Sequence, residues 1–266
     1  MSDPFTGARA KVDRAREQTN ALAADFQRFY DCKPYVVAQT LDPESRRKSA
    51  VFRATEPIPV EWSVILGEVF HDLRSALDNA IYEMICIEQG AALPQTEFPV
   101  FEDELKYMSS SKAGVPNLPS GLHKIRGINV DAQKIVRELQ PFQARKAHPN
   151  SEPILALVHD LNITDKHRTI HLCRLRTDSG RYEVLRDIQT PIDLALPIGA
   201  LDDGKRLGEW TPTIFDDEPD VEFSIDFAIA LADTYPPLKN QLVIEVCEKL
   251  TRGVEKIIFT YLRDTL

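Results

Sequence analysis

Close cysteine pairs, glycine-rich phosphate loops and long apolar runs are all missing from this sequence. The four cysteines, Cys32, Cys86, Cys173 and Cys247, stand far apart with no C-x-x-C spacing. A zinc knuckle is therefore unsupported, and reduced intracellular thiols are the default. No stretch of eighteen apolar residues occurs, so no membrane-spanning helix is expected. The opening MSDPFTGARAKVDRAREQ also has no apolar segment of the kind a signal peptide needs. Cytoplasmic residence is the expectation. Walker and dinucleotide glycine loops, a kinase signature and a serine or cysteine nucleophile constellation are absent too, which argues against the common enzyme classes and leaves no cofactor to expect.

A net positive charge is lacking as well, since 41 Asp and Glu outnumber 32 Lys and Arg. A net charge of −9 gives no general attraction to nucleic acid or anionic membrane, so either partner would need a local basic patch. Arg46-Arg47-Lys48, Lys124 with Arg126, and Arg145-Lys146 are candidates, but each reads first as a solvated loop or helix face. The acidic runs Asp202-Asp203-Gly204 and 216–220 lack the spacing of a calcium loop and read as solvent-facing.

What is present suits a folded chain. With 266 residues and 43% hydrophobic content it can bury a sizeable core. The patterning predicts an α+β fold, mainly α, as one compact unit over 1–266. Residues 57–172 and 236–262 form a helical core, and 33–55 and 172–230 supply β elements. Strands are predicted at 36–39, 49–54, 172–177, 182–186, 192–196 and 221–229, with a turn at Asp178-Ser179-Gly180. Helices are predicted at 8–30, 102–110, 122–127, 131–139 and 236–262, with a helix end at Pro141 and a polar loop at 144–150.

Residues 57–89 read as the organising helix. At helical spacing Trp62, Leu66, Val69, Phe70, Leu73, Leu77, Ala80, Ile81, Met84 and Ile87 share one broad face. His71, Arg74 and Asp78 form a strip beside that face, and Asp72 and Asn79 form another. Arg74 and Asp78 are at the i,i+4 spacing of an ion pair within one helix. A lone histidine beside an apolar face, as His71 is, reads first as a hydrogen-bonded core residue and only second as a ligand.

A second helix is predicted over 152–172, with Ser151 as its N-cap and Pro153 in its first turn. Asp160, His167 and His171 fall near one line on it, a weak metal set that lacks the glutamate of H-E-x-x-H. Asn162, Asp165 and Arg168 lie on or near the side of Ile154, Leu157, Val158 and Leu161. Polar groups on a core-facing side need partners, and the first helix offers complementary ones. The expected pairs are Asp165 with Arg74 and Arg168 with Asp78.

The segments HDLRSALDNAIYE and LVHDLNITDKHRTIH together resemble a widespread, largely uncharacterised bacterial family in which an HxLRSALDH segment precedes LNxxDKHR. In such relatives the first motif reads Arg-x4-His, which is similar to the signature of HEPN domains. The resemblance implies a HEPN-like antiparallel helical bundle with an attached antiparallel sheet, commonly a homodimer. It also implies a role as a metal-independent ribonuclease of toxin–antitoxin or phage-defence systems, or as an RNA or nucleotide binder. Arg74 matches the signature arginine, which stabilises a phosphate, whereas the signature histidine falls on Asn79. An amide exchanges no protons near neutral pH, so Asn79 cannot act as general acid or base.

The sequence therefore leads to a non-catalytic or weakly active RNA- or nucleotide-binding protein, with Arg74 meeting phosphate and Asn79 holding a base or ribose hydroxyl. Two alternatives remain open. One is a ribonuclease whose proton-transfer group is His71, or His159 or His167 of the second helix. The other is an interaction protein whose charged helices are structural.

Overall fold

The computed structural model describes residues 3–109, 120–176, 181–194, 201–232 and 236–266. The chain is mixed α and β, mainly helical, with small antiparallel sheets. Its contacts separate into two compact units rather than the single unit read from the sequence. One holds Met1–Leu22, Ser63–Ile170 and Ile244–Leu266, and the other Ala23–Trp62 and His171–Val243. No helix among the described residues is long and apolar enough to cross a membrane.

The first unit takes residues 6–22 of helix α1 (Thr6–Asp31) and nearly all of α2 (Val60–Gln89). It continues through α3 (Glu104–Met108), α4 (Ser120–Lys124), α5 (Val130–Glu138), α6 (Pro141–Ala147) and α7 (Ile154–His167) to α8 (Val243–Lys256). Of the apolar face predicted for 57–89, Leu66, Val69, Phe70, Leu73, Leu77, Ala80, Ile81 and Met84 are fully buried and Trp62 nearly so, whereas Ile87, near the end of the helix, is exposed. Gly90 ends α2 at a φ of 75°, a left-handed value open to glycine without strain.

Three helix boundaries differ from the sequence reading. Pro141 starts α6 instead of ending a helix, because its missing N–H falls where no intrahelical partner exists. Helix α7 stops at His167, where Arg168 turns extended, short of the predicted 172. The helix predicted over 236–262 is divided: a single 3-10 turn spans Pro236–Leu238, Asn240 sits at a φ of 60°, and α8 begins only at Val243, continuing as a wider π-type turn over Ile257–Leu262.

In the second unit β1 (Tyr35–Asp42) and β2 (Arg47–Ala54) form the predicted hairpin, paired from Tyr35↔Ala54 to Asp42↔Arg47. The remaining strands are β3 (Leu172–Arg176), β4 (Arg181–Val184), β5 (Asp193–Leu194), β6 (Arg206–Trp210), β7 (Val221–Ser224) and β8 (Phe227–Leu231). β6 was not read from the sequence, although it continues the sheet in the order β1-β2-β6-β5. The strand predicted over 221–229 is two strands, β7 and β8. These pair with β4 and β3, so β3 and β4 are not partners of each other. The turn predicted at Asp178-Ser179-Gly180 and the ends predicted at 177 and 195–196 lie outside the described residues.

The core of this unit gathers Ala50, Phe52, Leu201, Leu207, Trp210, Val221 and Ile225. Into it runs a lysine. Lys48 alternates with Ala50 and Phe52 on the inward face of β2 and is only 1% exposed, as is Asp220. Lys48 Nζ lies 3.0 Å from Asp220 Oδ2 and donates to the Glu218 carbonyl at 2.6 Å, while Trp210 Nε1 donates to Asp220 Oδ2 at 3.1 Å. Arg186 donates through both terminal nitrogens to Asp216 at 2.8 Å, which lowers the Asp216 carboxyl to about 2. Lys48 and the 216–220 run, read from the sequence as solvated, are thus a buried ion pair and its support. Removing one partner of such a pair leaves an uncompensated charge. Asp220→Ala is expected to cost about 3–5 kcal/mol in urea unfolding; a loss below about 1 kcal/mol would show that the pair does not hold this unit.

Candidate site at the α2–α7 pair

Three contacts set the register of α2 against α7. The Asp165 carboxylate lies over Gly67, Asn162 meets His71, and His159 lies within the electrostatic reach of Arg74. As numbers rise along α2 they fall along α7, so the helices run antiparallel. The pairs expected from the sequence, Asp165 with Arg74 and Arg168 with Asp78, assumed the opposite direction and do not form. Gly67 permits the close approach: a Cβ there would stand 1.9 Å from Asp165 Oδ1.

Arg74 is paired within its own helix. Its Nη1 is 2.8 Å from Asp78 Oδ1, although no aligned hydrogen bond satisfies that nitrogen, and its Nη2 donates to the Phe98 carbonyl at 2.8 Å. Asp78 Oδ1 in turn accepts from the Phe98 N–H at 2.9 Å. The i,i+4 pair therefore clamps both backbone groups of one buried residue in a segment without regular structure. Arg74 is 7% exposed. Asp78 has its carboxyl pushed up by burial, an effect the Arg74 charge opposes.

Beside this clamp sits His159. Its Nδ1 is buried and has no hydrogen-bond partner. Burial first, then the Arg74 charge, shifts its pKa down; Lys124 acts in the same sense, with Asp160 and Glu97 opposing. Lys124 is ion-paired with Glu97. Arg74, Asp78 and His159 are thus brought together as predicted site residues. Glu97 and Phe98 were not foreseen, because the proline-interrupted segment around them carries no periodicity to read.

Elsewhere on the pair, His71 with its proton on Nδ1 donates to the Asn162 Oδ1 at 3.3 Å, and its Nε2 accepts from the Ser75 hydroxyl at 3.4 Å. The order Ser–His–Asn matches the roles of a nucleophile, a base and an orienter. Ser75, however, lies in mid-helix, where the neighbouring N–H groups are spent on α2 itself and leave no backbone oxyanion donors. Asn79 lies on another side of α2, against the start of α1, where Glu83 Oε1 accepts the Gly7 N–H at 2.6 Å. The signature-matching positions Arg74 and Asn79 therefore have different neighbours. His167 is exposed in the last turn of α7, and His171 lies beyond the helix end, so their i,i+4 spacing does not arise. Among the described residues no three His, Cys, Asp or Glu side chains gather to hold a metal, so Asp160, His167 and His171 do not form such a set.

The basic stretches also find partners. Arg47 pairs with Glu209, Arg126 donates to the Pro94 and His123 carbonyls, and Arg145 pairs with Glu102 and Glu152.

Gly67→Ala tests the register. In the native background the new methyl meets Asp165, and overpacking should cost about 1–3 kcal/mol. With Asp165→Ala the same change should stabilise by about 1 kcal/mol through helix propensity; additive effects would contradict the contact. His159 gives a pH test. Its folded pKa lies below the unfolded value of about 6.5, so its contribution to stability is full above that value and lost as pH falls through the lower folded one. The half-buried carboxyls of Asp78 and Asp165, shifted up, act in the opposite sense. The drop in melting temperature between pH 7.5 and 5.5 should therefore shrink in His159→Gln relative to the native chain, and an unchanged drop would refute the assignment. Comparison with models of known families, with curated proteins and with solved structures yields no match, so the reading of this site rests on its own geometry.

Proposed function

We propose that the chain is a HEPN-like, non-catalytic protein that binds a nucleotide, or a short RNA end, through one phosphate at His159 and Lys124. The observation that carries this reading is the unpartnered, buried His159 Nδ1 beside two cationic side chains, Lys124 and Arg74, the latter with its Nη1 at the Asp78 carboxylate. Arg74 shapes the wall of the site, since its other donor is committed to the Phe98 carbonyl.

Two features favour binding over cleavage. Asn79 is unable to move protons and lies against the start of α1 rather than in the group around Arg74. The net charge of −9 and the pairing of the basic stretches disfavour a long polyanion and leave a single phosphate as the suitable ligand. A ribonuclease is the second reading, because the lowered pKa keeps His159 neutral and ready to accept a proton at pH 7.

Calorimetric titration with mononucleotides and with a ten-nucleotide RNA separates these readings. Binding by the native chain, weakened about tenfold or about 1.4 kcal/mol in both His159→Ala and Lys124→Ala, with no RNA cleavage in EDTA, is the expected result. Cleavage that survives EDTA and vanishes in His159→Ala would establish the nuclease instead. Absence of both would leave the interaction-protein reading.

A further inference from the structure

The four-stranded sheet of the second unit ends on one side in β1, which has no strand beyond it. Its backbone directions follow from its neighbour. Phe52 turns both its N–H and its carbonyl away from β1, to the Lys205 carbonyl and the Gly204 N–H, while the Pro34 carbonyl turns toward β2 and accepts the Thr55 N–H. Val36, Ala38 and Thr40 therefore bond β2, and the N–H and carbonyl groups of Val37, Gln39 and Leu41 point outward. No described residue bonds these outward groups. At the other edge β5 is only two residues long and carries Asp193, a common way to blunt an edge. β1 has eight residues, and from Tyr35 to Leu41 none is charged and none is proline.

The core is also left open along this edge. Tyr35, Val37 and Leu41 stand on the inward face of β1, opposite Ala54, Phe52 and Lys48, yet they are only half-buried. Beside them a cleft of about 460 Å³ runs between β1 and β7, with Tyr35, Val37, Leu185, Val221 and Phe223 in its walls. Charge returns only at the two ends of the strand. Lys33 stands just before β1 and Glu44 just after it, and neither is ion-paired among the described residues.

From this arrangement we infer that two copies of this chain pair through β1, antiparallel about a twofold axis at Ala38. Antiparallel pairing brings the start of one strand to the end of the other, so Lys33 meets the partner's Asp42 and the partner's Glu44. The charges are complementary without any rearrangement of sequence. An axis perpendicular to the sheet keeps the inward faces of both strands on one side. Val37 then bonds the partner's Gln39, and the half-buried apolar side chains of both copies line up along the two open clefts. Ala38 falls on the axis, where the backbones are not bonded to each other and approach to about 4.5 Å between Cα atoms; it is the smallest side chain of the strand. The inference does not depend on the phosphate reading, since all its residues belong to the second unit and His159 and Lys124 to the first.

The test is sedimentation velocity of the full chain over a range of concentrations. The expected result is a reversible dimer, weakened at least about tenfold by Ala38→Lys, which sets like charges opposite each other on the axis. Val130→Lys, at an exposed position of α5, should leave it unchanged. Ala38 lies on the outer face of the sheet and keeps its backbone bonds to β2 in the variant, so the chain should fold, which circular dichroism checks. Lys33→Glu should weaken the dimer as well, and adding Glu44→Lys should restore it, a recovery that a misfolded strand would not give. A monomer at every concentration would leave the edge to a strand of another protein and overturns the inference. So does a dimer indifferent to Ala38→Lys, a charge swap without recovery, or assembly beyond two copies.

Discussion

Arg74 and Asp78 hold both the carbonyl and the N–H of Phe98, and the first unit depends on that clamp. The segment it grips has no helix or strand to satisfy its backbone, so side chains take over. Gln140 continues the pattern, accepting from the Phe101 N–H at 3.0 Å and donating to the Pro99 carbonyl at 2.9 Å. Buried backbone groups without partners are costly. A charged pair in mid-helix is therefore retained here as an anchor for a coil, and this accounts for its burial without any ligand.

That role changes what the Arg-x4 spacing from Arg74 to Asn79 means. A guanidinium committed to a carbonyl and a carboxylate is a poor free receptor for phosphate, while the histidine beside it keeps an unused nitrogen. The unused polar atom of this group thus lies on α7, at His159, rather than in the motif on α2. Along the same helix pair Asp165 stands near the Glu68 carboxylate, whereas His159 stands near Arg74 and Lys124.

The second unit has an independent keystone in Lys48 and Asp220. An ammonium buried to this degree is tolerable because a carboxylate, a backbone carbonyl and a second aspartate surround it, and because Trp210 spends its N–H on the same carboxylate. The pair joins β2 to the loop before β7, which helps fix where a long irregular stretch lies.

The amino-acid order by itself determined the long helix, most of its buried face and the first hairpin, because these follow from local periodicity; it offered Arg74 with Asp78 at i,i+4 spacing as one of two pairings, and only the structure chose it over the pair with Asp165. It also flagged Asn162 as polar on an apolar side, and Asn162 found His71. Only the tertiary structure decided the direction of α7 against α2. Helical periodicity states which residues share a face and says nothing about whether the facing helix runs up or down; Gly67 under Asp165 settles it. The same limit hid Lys48, whose place in a strand's alternation points it inward only once a carboxylate distant in sequence is there to meet it, and Phe98, whose partners lie in a helix formed earlier in the chain.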